Sequence, residues 1–363
     1  MSLFRKVIWL LALVICVPTA SFSQNLIYDI EFDTYFDNRE YAQTDDFGYR
    51  SGTDFAVSLA PTLGLQFDED NTLYFGLQSF APFEEVDNRL FDTIETILYY
   101  AYNGTQWSAA AGIFPRSRMA IGSYSTAFFA DDYLFYDRLV SGVMGQYRVD
   151  DSFVEMVCDW ESQPSETSRE RFRLLSAGRR YWSRLYAGYN LSVTHFAGQQ
   201  LEGFNNVVDN LLLNPRVGAR WSGVYDVDLS IGYLQSMQRD RSYGNEWLAP
   251  YMGELSLSVS RWGVTFTEQA YFGDDLSPLY DGHILADGTV VEYGAKLYTG
   301  DPFFRTTSGF YNRAAVGYSR TFFDGQLALR AQFVTHADGS GLGTEQILDV
   351  AVKIGGTLYK SKK

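Results

Sequence analysis

Apolar and polar side chains alternate with a period of two along most of this chain. The stretch TDFAVSLAPTLGLQFD, residues 53–68, shows the pattern best. Successive side chains of a β-strand point to opposite sides of a sheet, so the alternation predicts a strand. The stretch is long beside the roughly five or six residues usual in soluble domains. Its apolar face holds Phe55, Val57, Leu59, Pro61, Leu63, Leu65 and Phe67.

The same alternation recurs almost to the end of the chain, for example at residues 26–36, 213–221 and 225–233. Short connections alternate with longer polar ones, and this rhythm predicts about sixteen strands. The segment VVEYGAKLYTG, from Val290, could form a further strand, but an extra strand would make the count odd. We therefore assign it to a long loop at residues 273–306.

Aromatic residues collect beside the short connections, as at Trp107, Trp182 and Trp262. Tyr and Trp favour a membrane interface, where the ring meets lipid and the polar tip meets water. We therefore expect an all-β fold: a closed antiparallel transmembrane β-barrel with short periplasmic turns and long extracellular loops. The alternative is a large secreted β-sandwich or propeller, in which the apolar face would be the core.

The N-terminus predicts export. Residues 1–23 read as a signal peptide, with the basic MSLFRK, the apolar VIWLLALVICV and a cleavage site after Ser23. Lipidation at Cys16 is an alternative that the bulky Ile15 disfavours. Once the signal peptide is removed, Cys158 would be the only cysteine left, which excludes an internal disulfide. The formal net charge of -15 argues against a nucleic-acid partner. We expect residues 24–363 to form one barrel domain.

The chain resembles a Gram-negative outer-membrane porin. The most specific segment is AGIFPRSRMAIGSYSTAFFADDYLFYDRLVSG, residues 111–142, in which a strand ends in Gly112, Ile113 and Phe114. Phosphate-selective-type porins have a similar Gly-x-Phe there. The resemblance implies that the third long loop, residues 115–139, folds into the channel and narrows it. It also implies an outer-membrane location among lipid and lipopolysaccharide, with a homotrimer as one possible assembly.

A barrel of about sixteen strands leaves a water-filled interior. The polar faces of the strands then predict a pore lining of both charges: Asp29, Glu31, Asp33, Glu155, Asp159, Arg171, Arg173, Arg179, Arg216, Arg220, Asp226, Asp228, Arg313 and Arg330. The predicted constriction residues of the third loop are Arg116, Arg118, Asp131, Asp132, Asp137 and Arg138. The alternative is that the wall charges only solvate the barrel and that the loop is exposed. Glu268 falls on an apolar face, where a carboxylate is costly.

These features favour a channel for small hydrophilic solutes or ions, with mild cation preference because acidic residues are in excess. One alternative is a barrel that serves as scaffold or accessory subunit of an envelope complex, its lumen plugged by loops such as 273–306. A third is a lipid-modifying enzyme with a Ser/His site assembled in space. We expect no enzyme, cofactor or metal, because His195, His283 and His336 lack metal-ligand spacing and no catalytic motif is present.

Overall fold

The computed structural model describes residues 24–42, 51–83, 93–166, 168–198, 207–244, 246–280, 282–285, 287–293, 297–306 and 308–360. The predicted signal peptide, residues 1–23, lies outside the described residues. None of the helices in the described ranges is long and apolar enough to cross a bilayer.

In the part of the chain that the structure describes, sixteen antiparallel strands close into one barrel, which confirms the predicted fold class. Each strand pairs with its neighbours along the chain, and the last strand pairs with the first. The strands are β1 (Asn25–Ala42), β2 (Gly52–Gln66), β3 (Asn71–Pro82), β4 (Thr93–Asn103), β5 (Trp107–Pro115), β6 (Leu139–Val149), β7 (Ser152–Ser162), β8 (Arg171–Trp182), β9 (Leu185–Phe196), β10 (Val208–Trp221), β11 (Asp226–Asp240), β12 (Tyr251–Arg261), β13 (Val264–Gly273), β16 (Phe310–Phe322), β17 (Leu327–Asp338) and β18 (Leu342–Tyr359).

The segment from Val290 does not join the barrel. Its strand β15 (Val290–Glu292) pairs with β14 (Gly282–Ile284) as a separate hairpin, and β13 pairs directly with β16. This confirms that the segment belongs to the long connection. The described helical segments are a helix α1 (Asp131–Tyr136) and short 3₁₀ turns at Arg116–Arg118, Ile121–Ser123 and Pro302–Arg305.

The apolar face of the strands looks outward. Leu229 and Ile231 are 41% and 59% exposed, and Leu59 and Leu63 are partly exposed, whereas the buried clusters lie inside the barrel. Closure of the sheet pairs the backbone groups of every strand, which is the condition for a sheet in hydrocarbon. The outward apolar side chains can therefore contact lipid.

The two ends of the barrel differ. We call the end with the connections 67–70, 104–106, 150–151, 183–184, 222–225, 262–263 and 323–326 the short-turn rim, and the opposite end the long-loop rim. Trp107, Trp182 and Trp262 are 58%, 56% and 81% exposed at the short-turn rim. Trp262 and Gly263 both have positive φ, of 56° and 84°, as the tight hairpin turns that match strand twist require. This rim therefore carries an outward aromatic belt.

Candidate functional site

Residues 116–138, which connect β5 to β6, lie inside the barrel, and we call them the inner loop. The amide of Ala120 donates to Glu155 Oε2 of β7 at 2.8 Å, and the amide of Ser125 donates to Asn190 Oδ1 of β9 at 3.1 Å. Asp131 of α1 pairs with Arg313 of β16 at 3.3 Å. These contacts lie on different sides of the wall, so the inner loop crosses the lumen.

Ion pairs fix both ends of the inner loop. Arg116 is buried, and its Nη2 atom lies 3.1 Å from Asp137 Oδ1 and 3.0 Å from Asp159 Oδ2 of β7. Arg138 pairs with Asp33 of β1. The loop therefore leaves β5 and returns to β6 through charged contacts with the wall.

The middle of the inner loop is held by α1. Asp131 accepts hydrogen bonds from Arg330 at 2.8 Å and from Arg313 at 3.3 Å. Burial opposes ionisation of Asp131, but Arg330 and Arg313 outweigh it, so its pKa lies below the usual value. Asp132 lies 3.8 Å from Arg39, and burial raises the pKa of Asp132. Asp131 is thus an ionised latch between the inner loop and the strands β16 and β17.

Residues 274–309, the cap loop, pack on the inner loop from the long-loop side. The amide of Ala130 donates to the carbonyl of Thr299 at 2.9 Å, and the amide of Asp301 donates to the carbonyl of Thr126 at 2.8 Å. Together the two loops bury an apolar core in the lumen, made with wall residues of β4 to β16; its loop members include Met119, Ala127, Phe128, Phe129, Leu276, Tyr298, Phe303 and Phe304. At this level the described parts of the two loops pack into an apolar cluster inside the barrel, where the strand count predicted a water-filled interior.

The strand registers place the residues of the predicted pore lining on the inner face of the wall. Several of them are buried contacts of the loops. Glu155 accepts from the inner loop, and Arg173 Nη1 donates to Thr299 Oγ1 of the cap loop at 2.9 Å. Their part in ion selectivity, and that of the six predicted constriction residues, remains a prediction.

A cavity of about 710 Å³ lies between the inner loop and the short-turn rim. It is lined by charges of both signs, among them Asp29, Glu31, Arg118, Arg148 and Lys353. This cavity has the polar, charged lining that was expected of the barrel interior.

A second group of polar side chains lies on the outer face of the barrel, close to the long-loop rim. The registers align Trp160 of β7 with Phe172 of β8, Phe172 with His195 of β9, His195 with Asp209 of β10, and Asp209 with Arg239 of β11. We call these five residues the outer row. The outer row places three polar side chains on a mostly apolar surface.

The outer row contains a histidine beside a carboxylate that two arginines hold. Asp209 Oδ1 lies 3.8 Å from His195 Nδ1, and Asp209 accepts hydrogen bonds of 2.7 Å from both Arg239 and Arg241. The guanidinium of Arg239 stacks over Trp247, 4.4 Å from the ring centroid. Together the two guanidinium groups contact both carboxylate oxygens of Asp209.

His195 has one ring nitrogen available for chemistry. Its ring packs against Phe172, with the centroids 5.0 Å apart, and Nδ1 faces Asp209. Nε2 makes no hydrogen bond with any residue in the described ranges. A neutral imidazole oriented in this way can accept a proton from water, since the carboxylate stabilises the imidazolium that results.

Sequence reasoning considered His195 only as a possible metal ligand and missed this group. The alternation along the strands could have revealed it, because His195, Asp209 and Arg239 each occupy outward positions that are otherwise mostly apolar in their strands. Polar residues at such positions are unexpected on a lipid-facing wall, and the three fall at strand ends that the barrel aligns.

Comparisons with known proteins give two results. A family model described as Lipid A 3'-O-deacylase-type matches residues 18–242, a range that contains the outer row. A search of curated proteins finds no significant match.

Solved structures share the fold. A loop-L8 deletion mutant of OmpT, an outer membrane protein of Vibrio cholerae, aligns with TM-score 0.54 and 8% identity over 92% of this chain and 100% of that one. OpdL of Pseudomonas aeruginosa aligns with TM-score 0.50 and 11% identity over 93% and 99%. OprD of the same organism gives 0.50 and 11% over 91% and 94%. The fold is that of Gram-negative outer-membrane barrels.

Proposed function

We propose that this chain, which belongs to the Lipid A 3'-O-deacylase-type family, hydrolyses an acyl ester of a glycolipid in the outer leaflet, at the outer row of its barrel. The family membership also corrects one expectation drawn from the sequence. The chain was expected not to be an enzyme, and this is wrong because the matching family is one of deacylases. A histidine without metal-ligand spacing can still act as a base.

The observation that carries the proposal is the position of the His195–Asp209 pair. It faces outward, next to the long-loop rim, with Trp160 and Phe172 on one side and Arg239 on the other. If the long loops are extracellular, as in porins, this is the height of the outer-leaflet headgroups. Aromatic rings favour that interface, and arginines suit the phosphates of a lipid A-type glycolipid.

The geometry fits attack by water on an ester carbonyl. His195 Nε2 takes a proton as the water oxygen bonds to the carbonyl carbon, and Asp209 stabilises the imidazolium. Arg239 and Arg241 are the nearest positive groups for the oxyanion that forms. The ester C–O bond then breaks, and the proton on His195 passes to the leaving alkoxide. The products are a free fatty acid and a glycolipid with one new hydroxyl group.

The experiment is a deacylation assay with the folded barrel in detergent micelles and purified lipid A, followed by mass spectrometry. Loss of a general base typically costs about 10²- to 10⁴-fold, so His195→Gln is expected to abolish measurable release of fatty acid. Asp209→Asn is expected to slow release by at least about tenfold, because the imidazolium loses its partner.

Two matched variants control for charge and for loss of a histidine. His336→Gln replaces an inward-facing histidine, and Asp226→Asn removes a carboxylate from the inner face near the short-turn rim. Both are expected to retain activity once a heat-modifiable gel shift shows a folded barrel. Equal activity of His195→Gln and wild type would refute the assignment of the outer row.

A second candidate function is a diffusion channel for small hydrophilic solutes, and the charged cavity of about 710 Å³ favours it. Passage would require the inner and cap loops to separate. Single-channel recording in planar bilayers tests this: stable conductance with mild cation preference would support a channel. A folded barrel that stays electrically silent would count against it.

A further inference from the structure

We infer that Arg118 and Arg148 form a subsite for a small oxyanion, a carboxylate or a phosphate group, in the lumen cavity between the inner loop and the short-turn rim. Both side chains line the cavity. Arg118 comes from the start of the inner loop and Arg148 from the end of β6 beside the turn at 150–151. The inference does not depend on the outer row.

The carboxylates that line the cavity have cationic partners. Lys353 lies 3.1 Å from Asp29 and also pairs with Glu31. Arg330 lies 2.8 Å from Asp131 and 3.2 Å from Asp349. The remaining lining carboxylate, Asp33, pairs with Arg138. Each carboxylate that lines the cavity therefore has a direct cationic partner other than Arg118 and Arg148.

Arg118 and Arg148 are left with neutral partners. Arg118 Nη2 donates to Asn103 Oδ1 at 2.6 Å, and Arg148 Nε donates to Gln146 Oε1 at 3.2 Å. The guanidinium carbon of Arg118 lies 5.3 Å from the ring centroid of Tyr99, and that of Arg148 lies 5.2 Å from the ring centroid of Phe153. Among the described residues, no carboxylate oxygen lies within ion-pair distance of either. Two positive charges thus line the cavity without a direct ion pair to a described carboxylate.

The nearby carboxylate of Glu155 is not available as a partner. It accepts from the amide of Ala120 at 2.8 Å, from the hydroxyl of Tyr124 at 3.1 Å and from the Gln146 side chain. Its charge acts on Arg148 through space, and an incoming anion would supply the direct contact that both arginines lack.

Gln146 holds the two arginines in one unit. Its Nε2 atom donates to the carbonyl of Arg118 at 3.1 Å, while its Oε1 atom accepts from Arg148. The Nε atom of Arg118 is buried and has no hydrogen-bond partner among the described residues. A guanidinium presents a fork of donors that matches the oxygens of carboxylate and phosphate groups. An oxyanion would satisfy the free donor and bring negative charge to the two guanidinium groups.

The test measures binding of inorganic phosphate and of acetate to the folded barrel in detergent at low ionic strength, by isothermal titration calorimetry. Arg118→Gln and Arg148→Gln are each expected to weaken binding by about tenfold or more, as the loss of a charge-assisted contact predicts. Binding of phosphate alone would assign a phosphate-bearing solute, and binding of both would extend the site to carboxylates.

Arg220→Gln is the matched control, because it removes the same charge from an exposed pair with Asp151 at the short-turn rim, and Arg220 does not line the cavity. It is expected to change the dissociation constant by less than about threefold. If Arg118→Gln does not fold, the exposed Arg148 carries the test. The inference is overturned if wild type binds neither anion, or if Arg220→Gln weakens binding as much as the subsite variants do.

Discussion

Replacement of Asp131 by Asn should release the inner loop from the wall. Asp131 is the residue of α1 that joins the loop to β16 and β17, through Arg313 and Arg330. Asn keeps the size of the side chain and one acceptor oxygen but removes the charge. Arg313 would then remain without an ion-pair partner among the described residues, and Arg330 would keep its pair with Asp349.

The contacts of the two arginines set the magnitude. Arg313 is only 5% exposed, and removal of one partner of a buried ion pair costs about 3–5 kcal/mol. The Arg330 side chain is 42% exposed, so its pair contributes only about 0–1 kcal/mol. Because Asn retains an acceptor, we take the lower end, about 3 kcal/mol. Since about 1.4 kcal/mol changes an equilibrium tenfold, the open population should rise roughly a hundredfold.

Single-channel recording reads this population directly. Wild type should be closed for most of the record, and Asp131→Asn should show long openings. Asp151→Asn is the matched control, because it breaks an exposed pair with Arg220 at the short-turn rim and removes the same charge. Equal open fractions in Asp131→Asn and Asp151→Asn would refute the latch. So would wild-type conductance typical of an unobstructed barrel.

Four further outcomes follow from the structure. The pKa of Asp131 is lowered from its ordinary value, so the ionised carboxylate stabilises the closed inner loop above about pH 4. This stabilisation is lost as the pH falls through the lowered pKa, so wild-type openings should increase only below about pH 4. Gly142→Ala should prevent folding, because its Cβ would lie 1.9 Å from a carbonyl oxygen of the next strand. The Cβ of Gly145→Ala meets nothing within 4 Å, so that variant should fold, and a heat-modifiable gel shift distinguishes the two variants. Tyr293→Phe removes a 2.7 Å hydrogen bond to a wall carboxylate and should weaken docking of the cap loop by about 1 kcal/mol, seen as roughly fivefold faster proteolysis of that loop. Glu268→Gln removes a lipid-facing charge and should stabilise the barrel by about 1 kcal/mol in urea unfolding from vesicles.

Each of these has a contrary result. Openings that increase already at neutral pH would place the Asp131 pKa above its usual range. Normal folding of Gly142→Ala would mean that β6 and β7 are spaced more widely than described. Unchanged proteolysis of Tyr293→Phe would remove its bond from the docking contacts. A loss of stability in Glu268→Gln would mean that the hydrogen bond from Asn312 to the carboxylate outweighs the cost of the charge.

The fold was predictable because a two-residue period and the position of turns depend on local sequence. Parity placed Leu229 outside and Asp33 inside, and the barrel requires only that each strand pair with the next. The hairpin at Val290 could be kept out of the barrel because an odd strand would reverse the rims. Glu268 was correctly placed on the outer face by the same parity.

The contents of the lumen and the outer row could not be predicted in this way. The cap loop packs on the inner loop through backbone contacts such as Ala130 to Thr299, which join residues far apart in the chain. His195, Asp209 and Arg239 lie on three strands, and only the inter-strand register aligns them. Register between strands with long connections is set by the closed sheet as a whole, and no single segment of sequence contains it.

Hydrolysis of lipid A in H₂¹⁸O tests the central claim most directly. If His195 activates water for attack on the acyl carbonyl, the released fatty acid should carry one ¹⁸O in its carboxyl group, and the deacylated glycolipid should carry none. His195→Gln should release no labelled acid above the uncatalysed background. The account is contradicted if the folded wild-type barrel leaves lipid A intact, or if wild type and His195→Gln release labelled fatty acid at the same rate.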